Sequence, residues 1–156
     1  MNHVIVAPHP DDEIIGCYEV LKKEENIIII YSADTEPRRR EEAMKLKEEI
    51  SGITVQLFLN SIPMSMVNHD HKFYFPDPSY EIHPKHREQG MTGELWARSC
   101  FDVTFYSTMM NAPYIHEVHM PSLKEQLLNK IYPSQSDLWK YDHKYFLFEG
   151  YSKWIF

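Results

Sequence analysis

The sequence predicts an α/β fold with a mostly parallel sheet, and three observations carry that expectation. Short apolar, largely β-branched runs recur at residues 2–7, 27–32 and 53–59. The segments between them place apolar residues at helical spacing. Strand and helix alternate strictly over this half of the chain, and that order calls for crossover connections in a parallel sheet.

Asn2 to Ala7 is the first strand; its mostly apolar character implies that both faces are covered. Asp12 to Glu25 reads as a helix with Ile14, Ile15, Tyr18 and Leu21 as its apolar stripe. Ile27 to Ser32 is a second buried strand. A helix follows from Arg38 to Ile50, with Ala43, Leu46, Lys47 and Ile50 along one side and Ser51-Gly52 as its stop. Ile53 to Leu59 is the third strand, and the connections should be right-handed. Residues 60–90 are rich in Pro, His and Asp and read as loop with one strand at Phe73 to Phe75. Met91 to Cys100 is expected to be helical, Asp102 to Ser107 and Tyr114 to His119 to be strands, and Ser122 to Ile131 a helix. The aromatic tail from Trp139 to Phe156 should lie against the body. No repeat, low-complexity tract or boundary divides residues 1–156, so a single domain is expected.

A chain of 156 residues is large enough to bury about 68–70% of its unfolded surface. Apolar residues make up 43% and charged ones 25%, a globular balance rather than a disordered one. A net charge of −7 argues against a nucleic-acid partner, which needs clustered cations. Arg38-Arg39-Arg40 is a short basic run followed at once by Glu41 and Glu42; a solvated helix start and a functional role are both open. The start of the chain has no basic leader, and the run Ile27 to Tyr31 is too short to cross a bilayer. No membrane span and a cytoplasmic location are therefore expected. Cys17 and Cys100 make no disulfide framework and read as buried small hydrophobes.

The stretch "APHPDDEIIGC" puts one imidazole and three carboxylates directly after the first strand. Such a cluster is costly near a core unless something positive sits in it. In an open parallel sheet, ligands bind at the carboxyl ends of strands, which is where His9, Asp11 and Asp12 fall. Pro8 and Pro10 stiffen the loop on either side of His9. A helix N-cap would explain Asp11 or Asp12, though not the whole set. His9 and Asp12 offer the nitrogen and oxygen donors that suit Zn²⁺, and a catalytic zinc needs one more ligand and a site for water. The segment "EIHPKHREQG" offers His83 and His86, and spacing alone does not choose between them. His116 and His119 lie in an apparent strand, where positions i and i+3 face opposite ways. His69-Asp70-His71 reads as solvated loop with metal binding as the alternative. Tyr74, Phe75 and Tyr80 could stack on a sugar face or simply pack.

These stretches resemble a known family. "APHPDDEIIGC" is similar to the first motif of the PIG-L/LmbE zinc-dependent N-deacetylases, and "HPKH" to their second. Arg39 with Glu42-Ala43, and "KIYPSQ", resemble two further family segments in the same order. The resemblance implies a Rossmann-like three-layer fold with the metal site at the carboxyl ends of the strands. It implies His9, Asp12 and His86 as zinc ligands, Asp11 as the base acting on zinc-bound water, and His83 as the group that stabilises the oxyanion and helps protonate the leaving amine. Arg39 becomes a substrate-contacting candidate. The activity implied is removal of an N-acetyl or other N-acyl group from an amino-sugar-containing small molecule, in a chain that could be a homo-oligomer. Departures are Lys85 where the family has Asp, Tyr18-Glu19 in place of small residues, and a shortened middle that implies a more open pocket. A non-catalytic binding module keeping the fold is the second expectation, and a metal phosphoesterase the third.

Overall fold

The computed structural model describes residues 1–33, 36–109 and 112–152. The three apolar runs form β1 (Asn2–Ala7), β2 (Ile27–Tyr31) and β3 (Ile53–Phe58), joined by α1 (Asp12–Lys23) and α2 (Pro37–Glu49). The chain continues through β4 (His71–Pro76), α3 (Pro84–Arg98), β5 (Asp102–Ser107), β6 (Tyr114–Glu117), α4 (Pro121–Ile131), α5 (Lys144–Leu147) and β7 (Phe148–Tyr151). The seven strands among the described residues join one sheet in the order β3-β2-β1-β4-β5-β7-β6. β1 to β5 are parallel, and β7 runs antiparallel between β5 and β6.

Side chains alternate across each strand, and the two sets enter separate cores. Ile5 and Ala7 join Ile29, Tyr31, Tyr74 and Tyr106 on one face; Val4 and Val6 join Ile30, Phe73 and Phe75 on the other. Helices α1, α2 and α4 supply the first core, while Trp96 of α3 packs on the second. Each fully buried aliphatic or aromatic side chain contributes about 1.5–3 kcal/mol, so two-sided coverage is what holds such apolar strands in place.

The strand order also places the site. From β1 the chain steps outward to β2 and β3, then returns to lay β4 against the other side of β1. The connections leaving the carboxyl ends of β1 and β4 therefore diverge and leave a crevice, the usual ligand position in open α/β sheets. The loops carrying His9 and His83 leave from those two ends.

Three expectations need correction. Within residues 60–90 the expected strand at Phe73 to Phe75 is present but longer, as the six-residue β4 at the centre of the sheet, and α3 begins at Pro84 rather than Met91. Pro at the first helical position is pre-organised for a helix start, but the inward positions of α3 before Trp96 are His86, Gln89, Gly90 and Gly93, with no large apolar residue among them to show the period. A Cβ added at Gly93 would lie 2.7 Å from the Phe75 ring, so the helix sits close on β4. Lys47 is exposed, and Glu42 takes the buried place on α2, where it accepts from the Ser134 N–H. Cys17 is buried, but Cys100 is exposed. The tail packs as expected, with Trp139, Phe146 and Tyr151 buried, and it adds β7 to the sheet; Lys153 to Phe156 lie outside the described residues.

Helix α1 is broken at Cys17 (φ −136°, ψ 26°). A Cβ at the preceding Gly16 would fall 2.3 Å from the Tyr106 ring, which fills that space and donates to Val6 O at 2.8 Å. The Tyr18 and Glu19 N–H groups instead donate to the Glu149 carboxylate at 2.6 and 3.3 Å. Ile15 O accepts from the fully buried Lys124 Nζ at 2.8 Å, and Lys124 also pairs with Glu149 at 3.2 Å. Tyr18 and Glu19 thus tie α1 to β7.

Candidate metal centre

The loop after β1 is over-determined. His9 N–H donates to Asp12 Oδ2 at 2.8 Å, and Asp11 O accepts the N–H groups of Ile14 and Ile15, which starts α1. Asp11 stands at the N-cap position, but its side chain makes no capping bond. Its φ of 114° is a conformation that L residues rarely adopt and that surrounding structure must enforce. The Asp11 N–H is held by Glu13 Oε2 at 3.0 Å, and Glu13 in turn accepts the Tyr132 hydroxyl. Burial pushes the Glu13 carboxyl up to about 7, against the lowering effect of those hydrogen bonds.

At the crevice, His9 Nδ1, Asp12 Oδ2 and His86 Nε2 converge. The separations are 3.2 Å between the imidazoles, 3.4 Å from His9 to Asp12 and 3.1 Å from His86 to Asp12. A tetrahedral ion with bonds of about 2.0–2.1 Å spaces its ligand atoms about 3.3–3.4 Å apart, so these donors are set at ligand spacing. His83 is also near: ligand atoms of His9, His83 and His86 all lie within 4.8 Å of one another, a group that could hold a metal. Burial alone would lower the His86 pKa, but Asp12 and Glu81 carry it up to about 10. The Asp12 carboxyl, although burial opposes this, is held well below its usual range by His86 and His9. Metal binding at such a site displaces the imidazole proton.

Hydrogen bonding separates the two histidines that spacing could not. His83 is the N-cap of α3, and its Nδ1 accepts the Lys85 N–H at 3.2 Å. An imidazole whose Nδ1 accepts carries its proton on Nε2 when neutral, so that nitrogen is a donor. Burial and the two neighbouring imidazoles lower the His83 pKa, which favours this neutral form. His86 has the opposite setting. Its Nδ1 lies 3.3 Å from Glu81 Oε2, an ion-pair contact without good hydrogen-bond alignment, and a carboxylate there favours Nδ1–H and a free lone pair on Nε2. The Lys85 side chain turns away to Glu88 at 3.0 Å.

Asp11 lies beside this group with 2% of its surface exposed. Burial and the Asp12 charge push its carboxyl well above the usual range, while Arg39 acts the other way. Arg39 Nη2 donates to Pro10 O at 2.8 Å and lies 3.4 Å from Asp11 Oδ2, an atom with no hydrogen-bond partner among the described residues. Arg39 therefore braces the loop as well as lining the pocket, a cavity of about 320 Å³ shared with His83, Thr108, Gln135 and Tyr145.

The four sequence stretches interlock here. Arg39 reaches the first, Tyr132 reaches Glu13, and Ser134 reaches Glu42 in the first half of α2. Of the other candidates, His69 stacks on Phe101 with centroids 4.1 Å apart, and Tyr74 and Phe75 are core residues. Arg38 pairs with Glu42, and Arg40 lies over Phe58. Glu81 and Thr108 were not expected at the site. Glu81 stands two residues before "HPKH", and an acidic residue beside a histidine motif is the one local signal of it. Thr108, in the loop after β5, offers none. Comparison of the chain with protein-family models, with curated proteins and with solved structures returns no match.

Proposed function

We propose that this protein is a zinc-dependent amide hydrolase that removes an N-acetyl or related N-acyl group from an amino-sugar-containing small molecule, with the Rossmann-like layout of the PIG-L/LmbE enzymes that its motifs resemble. The observation that carries the reading is the ligand spacing of His9, Asp12 and His86 at the sheet's switch point, with a buried, raised-pKa carboxyl beside it. His9, Asp12 and His86 would hold the ion. When bound, zinc lowers the pKa of water towards about 7 and polarises an amide carbonyl.

The remaining work falls to the chain's own groups. Asp11 accepts the proton from the attacking water and returns it to the amide nitrogen as the C–N bond breaks and the amine leaves, a shuttle that a carboxyl with a raised pKa suits. Arg39 holds Asp11 in place and limits how far its pKa climbs. His83, fixed as an Nε2–H donor by its capping bond, meets charge that develops on the carbonyl oxygen. The open pocket, bounded by Gln135 and Tyr145, admits a substrate larger than an acetamide.

Three measurements test this. Purified protein should contain zinc, lose activity on an N-acetylglucosamine conjugate when chelated, and regain it with zinc. Asp11→Asn should keep its zinc and lose about 10²–10⁴-fold in kcat. Zinc-replete protein that cleaves a phosphodiester and spares the amide would overturn the reaction class, and a chain without zinc affinity would leave a binding module.

A further inference from the structure

The geometry points to Glu81 as the positioning residue that sets which nitrogen of His86 is available to the metal. The inference rests on the metal reading above and goes beyond it by naming a determinant outside the ligand set.

Glu81 has 6% of its surface exposed, and its carboxylate is fixed from one side. Oε1 accepts the Thr108 N–H at 2.6 Å, and the Thr108 hydroxyl lies 3.0 and 2.8 Å from Oε1 and Oε2. With Oε1 committed to that N–H, Oε2 faces His86 Nδ1 at 3.3 Å. An ionised carboxylate can only accept, so it favours a proton on Nδ1 and leaves Nε2 aimed at Asp12 and His9. His86 Nδ1 is buried and has no well-aligned partner among the described residues. A carboxylate behind a metal-bound histidine fixes its orientation and raises its basicity. Here it comes from the loop between β4 and α3, and the loop after β5 holds it.

The substitution that separates charge from shape is Glu81→Gln. The Thr108 N–H still demands an oxygen, which leaves the new amide NH₂ facing His86 Nδ1. A donor then meets a donor, and relief comes from moving the imidazole proton to Nε2, which blocks ligation, or from turning the ring. Zinc affinity, read by competition with a chromophoric chelator, should fall about 10–100-fold in Glu81→Gln. Glu81→Asp, which keeps the acceptor but shortens its reach, should fall between that variant and wild type. Thr108→Val, which removes the hydroxyl anchor and keeps the shape, should weaken zinc by a smaller factor. Zinc-free melting curves should stay close to wild type. In ¹⁵N-edited imidazole spectra, a His86 Nδ1–H proton protected from exchange in wild type should be lost in Glu81→Gln.

Equal zinc affinity and an unchanged His86 signal in Glu81→Gln would overturn the assignment while leaving the metal centre standing. Weakened binding in a variant that also melts far below wild type, with Thr108→Val unaffected, would overturn it in favour of a purely structural Glu81. A wild-type chain that binds no zinc would overturn the metal reading and this inference with it.

Discussion

The Tyr132 hydroxyl donates to Glu13, a carboxylate with no solvent exposure that also holds the Asp11 N–H. Hydrogen bonds to charged groups contribute about 1.5–3 kcal/mol, and removing one partner strands the other. Tyr132→Phe should therefore lower stability by about that amount in urea titrations above pH 7, where Glu13 is ionised. Because Glu13 is also what keeps Asp11 at its strained φ, turnover should fall in the same variant even at temperatures where it remains folded. His83 makes a related point. Where the resemblance leads one to expect a carboxylate beside this imidazole, the chain has Lys85, whose backbone N–H occupies Nδ1 instead. The side chain is left as a neutral donor, which can stabilise charge but is poorly suited to deliver a proton.

At the scale of elements, α3 carries the second half of the site by pressing His86, Gly90 and Gly93 onto the central strands. Gly93→Ala would push a methyl to 2.7 Å from Phe75 Cγ, at the rigid base of the ring. Overpacking of this kind costs about 1–3 kcal/mol. Urea denaturation should show that loss, and zinc affinity should drop with it as the helix lifts His86 away from Asp12. The same helix marks the limit of what the sequence discloses. β1, β2, β3, α1 and α2 could be read directly, because β-branched runs and apolar stripes announce them. "HPKHREQG" has no such stripe, since the face it buries is polar or bare, and β4 hides behind a polar start at His71 and Lys72. β7 is four residues within an aromatic tail, too short to show a period. Strand ends and loop composition pointed to His9, Asp11 and Asp12, and the resemblance, not spacing, added His86 rather than His83 to them as a ligand. Glu81 and Thr108, 27 residues apart, are joined only by the sheet.

For the molecule as a whole, burial of polar groups sets the alkaline limit of stability. Tyr31, Tyr106, Tyr132 and Tyr151 are fully buried, and burial pushes each hydroxyl well above its usual value of about 10. Above pH 10 the unfolded chain sheds these protons and the folded chain keeps them, so stability is intact below that pH and falls as pH rises beyond it. Lys124 works the other way over a lower range, because burial lowers its pKa and folding gains as pH climbs towards 10.5. Four groups outweigh one: ultraviolet titration should show these tyrosines ionising together with loss of structure, in one cooperative step rather than singly. The break in α1 bears on how the chain is made. Its freed donors and acceptor are met by Glu149 and Lys124, 131 and 109 positions further along. A ribosome that has delivered the first three strands has therefore delivered a helix whose middle lacks its supports, one turn from the Asp11–Asp12 loop. Stalled nascent chains that end short of residue 149 should stay free of metal, so the order of synthesis would itself delay loading until the last strand has docked.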